Sequence, residues 1–185
     1  MDKVSPKIQK RIYYEIEKRI LTPVLTEPHF WMKVSFNWNT WICSNWLATA
    51  LLLEKDENKR VSEVKKILWS FDNFLNPYPR DEGPGYWTAA SESLFKSIEL
   101  LNTATNNKFE VDNIPLFKNI ASFIYKAQMT RDYFINFADA HPKMDLDVGK
   151  RINDENMMQF GAYYYNPDKL SIDASHFTRT FLDLF

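Results

Sequence analysis

Thr40-Trp41-Ile42-Cys43-Ser44-Asn45-Trp46-Leu47-Ala48-Thr49-Ala50-Leu51-Leu52-Leu53-Glu54 is the stretch from which the fold class follows. Its apolar residues, Trp41, Ile42, Trp46, Leu47, Ala50, Leu51 and Leu53, spread over most of a helical circumference instead of one stripe. That pattern predicts a helix buried on several sides. The run from Leu47 to Leu53 is too short to span a membrane and stops at Glu54-Lys55-Asp56-Glu57. An inner helix of this kind needs outer helices to cover it. Downstream, Val61, Val64, Leu68, Phe71 and Leu75 follow the three-four spacing, with Lys59, Arg60, Glu63, Lys65 and Lys66 on the other side. This predicts an outer, half-exposed helix. Upstream, Val4, Ile8, Ile12, Ile16 and Ile20 recur every fourth residue, which predicts a helix with one buried stripe, ended by Pro23.

Beyond the break at Asn76-Pro77-Tyr78-Pro79, a helix is expected from Pro84 or Gly85 to Leu101, with Ala90, Leu94, Ile98 and Leu101 as its stripe. A loop through Asn106-Asn107 follows, and Pro115 suits the first turn of a helix turning Leu116, Ile120, Phe123, Ile124 and Ala127 inward. Tyr133 to Phe137 reads as a short strand, and residues 141–153 as loop. Asp154-Glu155 opens a helix towards Tyr165, and Asp173 or Ser175 caps a last one. Helical hairpins in which apolar helices alternate with amphipathic ones make an all-α fold, with at most a short strand near 133–137. No exact repeat marks a solenoid array. Residues 1–185 read as a single helical domain.

Composition narrows the function classes. Hydrophobic residues at 45% and charged residues at 25% are ordinary for a globular domain, whereas the aromatic content of 16% is high. Lys and Arg (23) balance Asp and Glu (24), so no general positive field points to nucleic acid or an anionic membrane. An acidic ligand would have to be held by a local arrangement. Cys43 is the single cysteine, so there is no internal disulfide, and a buried, inert thiol is expected. The N-terminal stretch from Met1 to Pro6 leads into a charged helix without the apolar core of a signal peptide.

Two segments carry candidate chemistry. Four of the six tryptophans fall between Trp31 and Trp46, around Phe36-Asn37-Trp38-Asn39-Thr40-Trp41. Flat indole faces suit the apolar faces of sugar rings, and the interleaved amides offer donors and acceptors to hydroxyl and carboxylate groups. The same residues also suit a tryptophan-rich core with Asn37 or Asn39 capping the helix. Two of the four glycines lie in Asp81-Glu82-Gly83-Pro84-Gly85-Tyr86-Trp87, a stiff turn at a helix start. It reads either as an active-site corner presenting Glu82 and Tyr86 or as a plain Pro-Gly helix entry with its aromatics packed inward.

Together, Asn37-Trp38-Asn39 before one helix and Glu82-Gly83-Pro84-Gly85-Tyr86-Trp87 before the next but one resemble the heparinase II/III family of polysaccharide lyases. The resemblance runs from about Trp31 to the C-terminus and includes Tyr133-Phe134-Ile135-Asn136-Phe137-Ala138-Asp139-Ala140. It implies an incomplete α/α toroid of helical hairpins, followed in the family by a β-rich domain that this chain does not contain. It also implies cleavage of uronic-acid polysaccharides by β-elimination. Asn37 would polarise the uronate carboxylate, and Tyr86 would serve as acid, and as base, at the glycosidic oxygen. Trp38, Asn39, Trp41, Arg80, Glu82 and Trp87 would line the substrate, with Glu82 orienting the site.

The chain departs from the family at Trp38, where some branches have His after the Asn, and in lacking the downstream region that supplies a further catalytic His or Tyr. Little activity is therefore expected from this chain alone. The apolar end Phe181-Leu182-Asp183-Leu184-Phe185 agrees with a missing C-terminal partner domain. The resemblance suggests a periplasmic or secreted setting. No cofactor is implied, and His29, His141 and His176 form no metal spacing. The expected partner is an acidic polysaccharide or oligosaccharide, not nucleic acid or membrane. Arg80, Arg131, Arg151 and Arg179 are candidate anion contacts. Two other readings stand beside the lyase: a glycoside hydrolase on a related toroid, using acidic pairs such as Asp81-Glu82 or Asp154-Glu155, and a non-catalytic carbohydrate-binding or interaction module.

Overall fold

The inner helix is the axis of the molecule. A computed structural model describes residues 4–76, 83–109, 114–131, 133–138 and 155–164. Helix α1 (Pro6–Ile16) continues through a wide π-helical turn (Glu17–Leu21) into α2 (Thr22–Thr26), and a 3₁₀ turn (Phe30–Lys33) leads to α3 (Asn37–Leu53). Then come α4 (Glu57–Leu75), α5 (Pro84–Trp87), a second π-helical turn (Thr88–Glu92) and α6 (Ser93–Ala104). Helix α7 (Pro115–Lys126), strands β1 (Gln128–Thr130) and β2 (Tyr133–Phe134), and α8 (Glu155–Tyr164) complete the order. The described protein is all-α apart from this one hairpin.

Helix α3 packs against α4, α6 and both π-helical turns, which is what an apolar circumference requires. Its Cys43, Trp46, Leu47, Ala48 and Ala50 are all buried. The stripe Ala90, Leu94, Ile98 and Leu101 faces the same core, as the spacing predicts. Helix α7 adds Ile120 and Ile124, and Phe134 of β2 meets Phe160 of α8 edge-on at 6.4 Å. The hairpin is antiparallel, with Gln128 opposite Phe134, and a bulge shifts its register. Asn106 and Asn107 end α6 in the left-handed region (φ 56° and 60°), a conformation asparagine tolerates better than most residues.

Three details differ from the sequence expectation. Pro23 does not end the first helix. Thr22 N–H bonds the Glu17 carbonyl five residues back, and this wider turn carries the chain past a proline that has no N–H to offer. The helix stops instead at Glu27, which is extended (φ −91°, ψ 150°) as a residue before proline prefers to be. The isoleucine stripe is not the buried face either. Ile8, Ile12 and Ile20 are exposed, α1 has no fully buried residue, and the arm is anchored by Leu21 with Ile16, Val24 and Leu25.

Helix α4, finally, keeps Phe71 buried and Val64, Leu68 and Leu75 against the core, as expected, but is turned further about its axis. Glu63, Ile67, Ser70, Phe71 and Phe74 are buried while Val61 is exposed. The rotation satisfies Ser70, whose Oγ donates to Asn39 Oδ1 at 2.9 Å, and it delivers Glu63 to the interior. The loop expected at 141–153 and the cap at Asp173 or Ser175 lie outside the described residues.

Candidate functional site

The start of α3 is held by a network that only a small polar pair supports. Asn39, fully buried, donates from Nδ2 to the Val34 carbonyl (3.0 Å) and the Ser70 carbonyl (2.9 Å) and accepts from Ser70 Oγ. Asn73 Nδ2 donates to the Met32 carbonyl at 3.0 Å. The 3₁₀ turn and the end of α4 are thereby fixed against the first turn of α3. Asn39 commits its amide to this anchoring, so its part in any ligand site is to hold the turn.

Around that anchor the side chains diverge. Asn37, the first residue of α3, is 6% exposed, and Trp41 is half-buried. Trp38 points outward at 51% exposure, beside Phe36 at 51% and Phe30 at 62%. The Phe30 and Trp38 rings lie 6.2 Å apart at a tilt of 55°. Behind them His29 stacks on the buried Trp31 at 5.3 Å. Lys33 is exposed on the same 3₁₀ turn. Exposed aromatics on a turn pinned from behind make a rigid apolar ledge, and such ledges mark interaction surfaces. The sequence pointed to Trp38 but not to Phe30 or Phe36, whose neighbourhood depends on the 3₁₀ turn.

The second segment divides in the same way. Gly83 and Pro84 are buried, and Tyr86, whose N–H bonds the Gly83 carbonyl at 3.0 Å, is half-buried. Trp87 is 3% exposed, its indole N–H donates to the Ile120 carbonyl at 2.9 Å, and its ring sits 6.3 Å from Phe95. It joins α5 to α7 from within the core. Arg80 and Glu82, with Asp81, Asp154, His141, His176, Arg151 and Arg179, lie outside the described residues. Arg131 is exposed and lies over the Tyr163 ring at 5.5 Å.

The two segments are joined through the end of α4. The Asn39–Ser70 bonds place the end of α4 beside the beginning of α3, and seven residue steps join Asn76 to Gly83, a reach of at most about 25 Å. The turn after Tyr86 and helix α6 then pack along α3.

A cluster that sequence reasoning missed lies where the N-terminal arm meets α3 and α4. Glu63 is 0% exposed and faces the Trp46 indole N–H, and among the described residues no well-formed hydrogen bond reaches either of its carboxyl oxygens. Lys59 Nζ, one helical turn away on α4, pairs with Glu17 of the arm and with Glu54 Oε2 at 3.2 Å. Burial, then the Glu54 charge, pushes the Glu63 carboxyl up to about 7, with Lys59 and the Trp46 indole opposing and Glu17 adding to the rise. For Lys59, burial pulls downward, but hydrogen bonds to Glu17 and Glu54 prevail and its pKa is raised.

Deeper in, Lys96 and Glu92 form a buried ion pair at 3.0 Å. Burial pushes the Cys43 thiol up to about 12, as an inert cysteine requires. Among the described residues no His, Cys, Asp and Glu group is arranged to hold a metal ion, and no helix is long and apolar enough to cross a membrane. The chain matches no protein-family model, and no curated protein matches it.

Proposed function

We propose that this chain is the sugar-holding helical part of a polysaccharide lyase, an incomplete α/α toroid that binds a uronic-acid polymer for cleavage by β-elimination. The observation that carries this reading is the aromatic ledge of Phe30, Phe36 and Trp38 beside Asn37. Aromatic rings cover the apolar face of a sugar, and Lys33 on the same turn supplies positive charge for a uronate or sulfate.

In the reaction, the Asn37 amide would hold the uronate carboxylate and stabilise the enediolate that forms as the C5 proton leaves. The Tyr86 phenol would protonate the departing C4 oxygen, and its phenolate would be the base that takes the C5 proton. Asn39 and Trp87 would support the two turns from within the core, and Trp41 would line the ledge where it is half-exposed. Arg80 would contact the acidic groups of the polymer, and Glu82 would orient the site. The depth of Asn37 favours, as a second reading, a module that binds the polymer without turning it over.

The test is a titration with heparan, chondroitin and alginate oligosaccharides, followed by tryptophan fluorescence for binding and by ultraviolet absorbance for the unsaturated product of elimination. Saturable binding to one of them, weakened about tenfold or more by Trp38→Ala, is expected; tenfold corresponds to about 1.4 kcal/mol. Absorbance that appears on incubation with the polymer and is lost in Tyr86→Phe supports the lyase. New reducing ends without absorbance identify a hydrolase, and saturable binding with neither product identifies the binding module. Indifference to all three polymers overturns the carbohydrate reading.

A further inference from the structure

We propose that Glu63 and Lys59 form a proton-operated latch for the N-terminal helical arm. With Glu63 neutral, Lys59 is shared between Glu17 and Glu54 and pins the arm. With Glu63 ionised, the ammonium is drawn along α4 to the new carboxylate and the arm is let go.

The geometry supplies each part. Lys59 and Glu63 stand four residues apart on α4, the spacing at which a lysine and a glutamate on one helix face meet. Lys59 is the side chain that ties Glu17, on the arm, to Glu54 at the α3–α4 corner. Glu63 is enclosed beside them with no well-formed hydrogen bond to either oxygen, and among the described residues the cation that acts on it is Lys59, which is holding the arm. A buried carboxylate with little beyond the Trp46 indole to solvate it is costly enough to compete for it. The groups facing Glu63 are Glu17 from the arm, Glu54 from the corner, Lys59 on its own helix and Trp46 from α3.

The arm is built to move at one end and stay at the other. Helix α1 has no fully buried residue, and between it and the α3–α4 corner runs a cleft of about 530 Å³ lined by Gln9, Tyr13, Ile16, Glu17, Leu53 and Glu54. The far end is fixed by Lys66, whose Nζ donates to the carbonyls of Val24 and Leu25 at 2.7 Å each. Release would therefore swing α1 and the first π-helical turn about α2 and widen the cleft. Lys55, 4.6 Å from the Tyr13 ring, also touches the arm. His29 Nε2 lies 3.3 Å from the Pro23 carbonyl at the fixed end of the arm, so it is the control.

The experiment is amide hydrogen exchange on the full chain at pH 6 and pH 8, with intrinsic rates divided out. With Glu63 titrating near 7, its ionised share rises from about a tenth to about nine tenths between these values. Amides between Tyr13 and Leu21 should lose on the order of tenfold protection at pH 8, while those of Val24 to Glu27 hold. Glu63→Gln should keep the arm protected at both pH values, and Glu17→Gln should leave it unprotected at both. His29→Gln should behave as the unaltered chain. Protection that does not change with pH overturns the latch, and so does a pH response that survives in Glu63→Gln or disappears in His29→Gln.

Discussion

Replacing Glu63 with glutamine should stabilise the protein at alkaline pH and leave it unchanged at acid pH. The amide has nearly the shape of the carboxyl but never ionises, so the substitution isolates the cost of the charge. Glu63 is 0% exposed and its carboxyl is raised from 4.5 to about 7. A shift of that size corresponds to about 3 kcal/mol, as an order of magnitude, between the two protonation states.

The sign follows from linkage. The folded chain holds this proton more tightly than the unfolded one, so the contribution of Glu63 to stability is greatest below about 4.5. It declines as pH rises towards 7 and is level above that. Urea unfolding followed by circular dichroism at pH 5.5, 6.5, 7.5 and 8.5 should therefore show the two proteins converging towards acid pH. Above pH 7.5 they should part by about 3 kcal/mol, glutamine the more stable. Glu15 and Glu17, held low by Arg19 and Lys59, move stability the other way, but only as pH falls below the ordinary carboxylate range, outside this window. Equal stability of the two proteins at pH 8.5 would refute the reasoning, because it would mean that the folded chain carries the ionised carboxylate at no cost.

Asn39→Ala removes the donors to Val34 and Ser70 and leaves the buried Ser70 hydroxyl only its longer contact to the Met32 carbonyl at 3.4 Å, which should cost about 2–4 kcal/mol in thermal or urea unfolding. Trp38→Ala, on an exposed side chain, should change stability by less than about 1 kcal/mol, so that its effect on sugar binding is separable from folding. Cys43 should resist thiol reagents in the folded protein at pH 8 and react on unfolding in urea; rapid labelling of the native chain would contradict its burial and raised pKa.

The parts of the fold legible in the sequence were those decided locally. Helix α3 announced itself because 17 residues without a charge can only be covered by other helices. The loop at Asn106-Asn107 and the entry at Pro115 were legible because each residue meets a local backbone demand. Pro23 misled because the remedy, one wider turn, costs the helix little and leaves no mark in composition. Helix α4 carries two overlapping three-four stripes, and hydropathy prefers the one through Val61. The other prevailed because Ser70 finds Asn39, 31 residues away, and that bond exists only once the helices are packed.

The same limit applies to the sites. Asn37-Trp38-Asn39 was legible as a place where aromatics and amides meet, but which side chain turns out and which turns in was not. Helical rotation of about 100° per residue sends Trp38 into solvent and Asn39 into the core. For Glu63 the pattern pointed away from the answer, since a charged residue among Lys59, Arg60, Lys65 and Lys66 reads as solvated surface. Its burial follows from the rotation that satisfies Ser70, two turns further along the same helix. The pair of hydrogen bonds between Asn39 of α3 and Ser70 of α4 therefore bears on both features. It steadies the turn that displays the aromatic ledge, and it turns an acid inward at the foot of the N-terminal arm. A variant that loses the Asn39–Ser70 bond should accordingly disturb the pH response of the arm as well as the ledge, although these lie at opposite ends of α4.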